Sequence, residues 1–214
     1  MDSLKSGRMY GHSSDMRVRG GQVCVLLAGS HAGSTLDNDL VASDSAVSRG
    51  GLPLALLPSG IDGESVLDVW WATVNRRDSF SKVYLVTNAD KYKHFERWAT
   101  ANDFPTENIV NDGTTSAVQG LGELGMLRLV LRSKQIDSDL CVLSCESMFY
   151  PESFDMQGVL KFFHHKGGEL VTLYTPRPDE DISAVPELDV DAVTARVMGY
   201  RSGAVPSVHK DPGC

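Results

Sequence analysis

Positive charge is scarce in this chain: 20 Lys and Arg stand against 28 Asp and Glu, a formal net charge of -8 over 214 residues. A nucleic-acid surface needs clustered Lys and Arg that displace counterions from phosphates, so this balance excludes nucleic acid as the expected partner and leaves small molecules and proteins. Cysteine is sparse as well, with four residues at positions 24, 141, 145 and 214. Only Cys141 and Cys145 stand close, and the paired close spacings that tetrahedral zinc sites favour are not present, so no zinc centre is expected. Cys24 and Cys141 fall within apolar runs, where a thiol packs as a small hydrophobe, and the overall sparseness fits a reducing compartment. No run reaches the roughly 18 consecutive apolar residues of a membrane helix, and no secretory signal pattern opens the chain. Lys5, Arg8, Arg17 and Arg19 among serines give the N-terminus some organellar-presequence character, against which stand Asp2 and Asp15. The compartments left open are therefore cytoplasmic and organellar, mitochondrial included.

The composition is that of a folded chain, 42% hydrophobic and 22% charged, and its length suits one domain with a single sizeable core. Residues 1–20 lack hydrophobic periodicity and read as a flexible arm, 21–200 as the domain, and 201–214 as a tail. Short continuous apolar runs mark strands buried on both faces: Val23–Leu27, Val83–Val86, Asn108–Val110, Leu140–Leu143 and Leu170–Tyr174. Between them lie stretches with helical spacing. Ser65–Asn75 places Val66, Val69, Trp70 and Val74 together, and Asp90–Ala101, with Asp90 as N-cap, groups Tyr92, Phe95, Trp98 and Ala99. Leu121–Leu131 and Met156–His164 behave likewise, and Gly167-Gly168 stops the last of these. Alternating strands and helices predict an α/β fold with a Rossmann-like, mostly parallel sheet carrying helices on both faces. After residue 176, prolines and acidic residues precede a β-like run over Ala192–Met198, which reads as a β-hairpin with a solvated acidic face.

In such a sheet ligands bind beyond the carboxyl ends of the strands. The segment after the first strand, Ala28-Gly29-Ser30-His31-Ala32-Gly33-Ser34-Thr35, has the small residues that let backbone N–H groups approach a phosphate, but no Lys or Arg to neutralise it. Asn111-Asp112-Gly113-Thr114 and Cys145-Glu146 occupy the same position after two later strands, so Gly29, Asp112 and Glu146 are expected along one crevice. Asp112, Gly113 and Thr114 read either as walls of a base or sugar pocket or as caps of the next helix. Glu146 reads either as a metal ligand or as a solvated acid. His164-His165 is a surface pair, since neighbours on a helix point in different directions. The Trp residues 70, 71 and 98 read as core or interface anchors. Asp137-Ser138-Asp139 precedes its strand and reads as a polar turn.

Two stretches, Lys82-Val83-Tyr84-Leu85-Val86-Thr87-Asn88-Ala89-Asp90-Lys91-Tyr92-Lys93-His94-Phe95-Glu96-Arg97-Trp98-Ala99 and Ile109-Val110-Asn111-Asp112-Gly113-Thr114-Thr115-Ser116, carry a family resemblance. From about Val23 to Val197 the chain resembles the sugar-phosphate nucleotidyltransferases, the nucleoside-diphosphate-sugar pyrophosphorylases. That resemblance implies the nucleotide-diphospho-sugar transferase type of fold and a reaction in which a sugar phosphate attacks the α-phosphorus of an NTP with Mg²⁺ assistance, releasing pyrophosphate. It also implies nucleotide contacts at Ala28, Gly29, Gly33, Ser34, Thr35, Asp112, Gly113 and Thr114, and a metal ligand at Glu146.

The departures concern charge. The family's Gly-x-Gly-Thr-Arg loop is matched by Ala32-Gly33-Ser34-Thr35 without the Arg, and Leu54 in Pro53-Leu54-Ala55-Leu56-Leu57-Pro58 stands where a Lys is usual. Cys145-Glu146 replaces a Gly-Asp pair, setting the carboxylate one methylene further out for an octahedral ion. Ala117-Val118-Gln119-Gly120 is apolar where relatives are polar and carry an Arg. Each lost electrostatic donor costs on the order of 3 kcal/mol of transition-state stabilisation, roughly a hundredfold in rate. The family's sheet continues past the equivalent of residue 200, so its acceptor-sugar half is missing or comes from a partner. The expectation is a catalytically impaired nucleotidyltransferase-like domain kept as a binding or structural subunit of a larger assembly. The alternatives are an active Mg²⁺-dependent enzyme whose cations come from new positions such as Arg49, Arg76 or Lys82, and a nucleotide-binding regulator without turnover.

Overall fold

Strands buried on both sides need helices above and below them, and the computed structural model of the chain has that layering. The structure describes residues 21–29, 51–58, 63–74, 79–145, 155–172 and 187–201. Packing divides the chain into Met1–Lys166 and Gly167–Cys214, so the stretch expected as one domain over 21–200 contains two packing units.

In the first unit, β1 (Val23–Leu27), β2 (Lys82–Thr87), β3 (Ile109–Asn111) and β4 (Leu140–Ser144) form an all-parallel sheet in the order β3-β2-β1-β4. The helices are α1 (Val66–Val74), α2 (Ala89–Ala101), α3 (Gly122–Ser133) and α4 (Met156–Lys166). Strand alternation sorts the side chains onto two cores. Cys24, Leu26, Leu85 and Ile109 face Leu67 and Trp70 of α1, Phe95 and Trp98 of α2, and Met156 and Leu160 of α4. Val23, Val25, Tyr84, Val86 and Val110 face Met126 and Val130 of α3. The chain moves one way across the sheet from β1 to β3 and then returns past β1 to reach β4. With crossovers of a single hand, that reversal puts α3 on the face opposite α1 and α2.

Local chemistry sets the helix starts. Asn88, not Asp90, caps α2: its Oδ1 accepts the Lys91 N–H at 2.9 Å, two residues earlier than expected. Asn88 is the first residue beyond β2 and is fully buried, so the helix springs directly from the strand. At α1, Ser65 Oγ accepts the Asp68 N–H at 3.1 Å while Asp68 Oδ2 accepts the Ser65 N–H at 2.8 Å, a reciprocal capping box. The other carboxylate oxygen, Asp68 Oδ1, accepts Trp98 Nε1–H at 2.8 Å, tying α1 to α2.

Partial burial tends to raise the Asp68 pKa, but hydrogen bonds from the Ser65 side chain and backbone, Trp98 and Asn102 outweigh it and hold the carboxyl below its usual value. A depressed folded pKa adds stability above the unfolded carboxyl pKa of about 3.9 and loses it as pH falls through the folded value. Asp68→Asn is therefore expected to cost about 1 kcal/mol at neutral pH, the worth of a cap. That difference should shrink toward zero below the carboxylate range. Thermal midpoints of both proteins across pH check this, and parallel curves would refute it.

In the second unit two sequence expectations are corrected. Leu170–Thr172 form no strand, and the rest of the run expected over Leu170–Tyr174 lies outside the described residues. An apolar run becomes a strand only where a neighbour takes its backbone hydrogen bonds, and none of the described strands pairs with it. The hairpin does form, from β5 (Glu187–Val190) and β6 (Val197–Arg201), with Glu187 and Asp189 exposed as the expected acidic face. Its turn, however, occupies much of the run expected as strand. Asp191 Oδ1 accepts the N–H groups of Val193 at 3.2 Å and Thr194 at 2.7 Å and the Thr194 hydroxyl at 2.7 Å, closing the loop before a second strand can start. The hydrogen bonds from Thr194 hold the Asp191 carboxyl below its usual pKa.

Candidate functional site at the carboxyl edge of the sheet

The register brings the strand ends level. Leu27 pairs with Val86 and Ser144, and Thr87 with Asn111, so Ala28, Asn88, Asp112 and Cys145 are the first residues past one edge. The ladder runs one rung further, with Ala28 N–H on Val86 O at 2.8 Å, Cys145 N–H on Leu27 O at 2.9 Å and Asp112 N–H on Thr87 O at 2.9 Å. Strand order reverses between β1 and β4, the position at which doubly wound sheets open a ligand crevice.

At this edge Ala28 and Gly29 are part of the packing. Ala28 lies in the core beneath α1 and α2, its N–H is bonded to Val86 O, and its carbonyl accepts the Thr87 hydroxyl at 3.3 Å. Gly29 is buried against α3: a Cβ there would overlap Met126 Sδ and lie 3.1 Å from Cε. A side chain here would have to displace the Met126 thioether, so Gly29 has a packing role at this edge. Gly33, Ser34 and Thr35 lie outside the described residues.

The loop after β3 is closed by its own side chains. Asn111 Oδ1 accepts Gly113 N–H at 2.9 Å, and Asp112 Oδ1 accepts both the N–H and the hydroxyl of Thr114, at 2.8 and 2.7 Å. Gly113 has φ +80, a conformation that favours glycine. Thr114 is buried, and its carbonyl accepts Ala89 N–H at 2.9 Å, docking the loop on the first turn of α2. These three residues therefore shape a rigid turn of their own and cap no following helix, since α3 begins only at Gly122. The loop and the Asn88 cap stand side by side at this edge.

Among the described residues immediately after the strands, namely Ala28, Gly29, Asn88–Lys91, Asp112–Thr115 and Cys145, Lys91 supplies the one positive charge, against Asp90 and Asp112. Its Nζ donates to Gly51 O at 2.8 Å. Asn88 and Lys91 are not among the expected site residues, although a polar run directly after an apolar strand is a usable signal for both. Lys82 is excluded as a substitute cation. It opens β2 opposite Val23, five residues and about 16 Å from the carboxyl edge. Arg49 and Arg76 lie outside the described residues. Leu54, at the position where the resemblance implies Lys, begins a single 3-10 turn, Leu54–Leu56, whose Ala55 is buried in the core, so this segment serves as packing.

Glu146, expected as the metal ligand, also lies outside the described residues. Among the described residues no three His, Cys, Asp or Glu side chains converge as a metal-holding group. Asp137-Ser138-Asp139 is a turn at the opposite edge, where Asp139 O accepts Val23 N–H at 3.0 Å. His164 and His165 are exposed. No described helix is long and apolar enough to cross a membrane. No family model matches this chain, and no curated protein matches it.

Proposed function

We propose that the chain is a nucleotidyltransferase-like domain with an impaired catalytic site, retained as a binding or structural subunit alongside a protein partner or further copies of itself. The observation that carries this reading is the charge at the carboxyl edge. Joining a sugar phosphate to an NTP and expelling pyrophosphate requires several preorganised cations where negative charge accumulates. Among the described residues at this edge one lysine stands with two aspartates, and its ammonium is directed to a backbone carbonyl. The all-parallel sheet with the order β3-β2-β1-β4 and helices on both faces supports the ancestry. The packing of Gly29 against Met126 accords with this reading, because it gives the glycine a role that needs no phosphate.

The purified chain is expected to release no pyrophosphate above background when incubated with each NTP, Mg²⁺ and a panel of sugar 1-phosphates. The loss of two donors at roughly a hundredfold each puts its rate about four orders of magnitude below an intact site. Robust turnover that disappears in Glu146→Ala would sink the proposal. In the same preparation, calorimetric titration with NTPs assigns the role: saturable heat marks a binding subunit, and its absence marks a structural one.

A further inference from the structure

Cys24 and Cys141 come together in a way that the proposed site does not use. They are direct register partners on adjacent parallel strands, Cys24 in β1 and Cys141 in β4. Residues paired in this way project to the same face, and both pack on the α1, α2 and α4 side of the sheet. Neighbouring strands run about 4.8 Å apart, inside the Cα window of about 4.4–6.8 Å that a disulfide tolerates, so a bridge here needs no change of register. Their accessibility differs. Cys24 is fully buried, whereas Cys141 is partly exposed on a strand with no neighbour on its other side among the described residues.

We propose that Cys24 and Cys141 are a redox-active dithiol that peroxide converts to a cross-strand disulfide, stapling β1 to β4 near the amino-terminal end of the two strands.

The chemistry divides between the two thiols by environment. Burial, reinforced by the hydrogen bond to Cys141, raises the Cys24 thiol, while the hydrogen bond from Cys24 lowers Cys141. Cys141 is thus the more readily ionised thiol of the two and belongs to the more exposed residue. Its thiolate attacks one oxygen of hydrogen peroxide, the O–O bond breaks, and a sulfenic acid forms as hydroxide leaves and takes a proton from solvent. Cys24 sulfur then attacks the sulfenic sulfur. The S–S bond forms, the S–O bond breaks, and the departing hydroxide takes the Cys24 proton as water. Overall, two thiols lose two electrons and one peroxide becomes two waters. Cys145 lies past the end of β4, four residues beyond Cys141, and it acts on Cys24 only through a weaker electrostatic contribution, whereas Cys141 is hydrogen-bonded to it.

The test oxidises the folded full-length chain with hydrogen peroxide, alkylates it under denaturing conditions and maps the peptides. The expected result is the loss of two alkylatable thiols per chain, a Cys24–Cys141 linked peptide, and full reversal by dithiothreitol. Cys145→Ser should keep the bridge, and Cys141→Ser should abolish it and leave Cys24 alkylatable. Should Cys141→Ser not fold, the map of the unsubstituted chain decides alone. Cys24 and Cys141 both still alkylated, a bridge to Cys145 or Cys214 instead, or Cys141 over-oxidised beside an intact Cys24 thiol would each overturn the proposal.

Discussion

Gly29→Ala is expected to lower the unfolding free energy by about 1 kcal/mol, the low end of the cost of forcing one extra carbon into a packed core, because the atoms it meets are the flexible end of Met126. Against total stabilities of about 5–15 kcal/mol for domains this size, the loss is measurable. The cause is steric alone. The backbone at Gly29 is not in the left-handed region, and the new methyl would overlap Met126 Sδ in the second core. Met126→Ala on its own should cost about 2–5 kcal/mol by opening a cavity. In that background Gly29→Ala should be close to neutral, because the atoms it would meet are gone, leaving a coupling of about 1 kcal/mol in the double-mutant cycle. Urea unfolding with an unchanged slope reads all four proteins. Additive effects would show that Gly29 is kept for something other than α3, and the phosphate-loop reading would regain ground.

Trp98→Ala should be more damaging, about 3–5 kcal/mol. Trp98 is nearly fully buried, lies edge-on to Trp71 with ring centroids 6.2 Å apart, and packs against Phe104 at 5.5 Å. Truncation removes that ring from the junction of α1 and α2 and also takes the donor from Asp68 Oδ1. Trp98→Phe separates the two losses. The six-membered ring stays, three ring atoms are lost, the N–H among them, and the expected cost falls to about 1–3 kcal/mol, one hydrogen bond plus a small cavity. Chemical denaturation followed by circular dichroism distinguishes the variants, and equal costs would mean that the Asp68 contact dominates over packing.

The four apolar runs of the sheet and the four helices were legible because burial on two faces and burial on one stripe leave different periods in a sequence. The helix spans agree to within a few residues. Errors fell where short-range polar chemistry has near-equivalent choices. Asn88 and Asp90 are both good caps, and only the exit direction of β2 selects the first. Thr194 lies in a β-branched stretch that reads as strand until Asp191 takes its N–H and hydroxyl into a turn. Leu170–Thr172 had the right composition for a strand but no described partner, a condition outside local sequence. At the candidate site, the position of the Asp112 loop beyond a strand end was readable, while the capture of its carboxylate by Thr114 was not.

By itself the chain determined that apolar strands alternate with amphipathic helices, that the surface is acidic, and that the segment after β1 has no Lys or Arg, because these are properties of residue order and type. Tertiary structure decided the meaning of individual positions. Parallel pairing set Cys24 opposite Cys141, the return path of the chain laid α3 across Gly29, and the start of β2 carried Lys82 to the edge away from the crevice. Each is a contact between residues distant in sequence, created by register and crossover direction, and neither leaves a periodic trace in the chain.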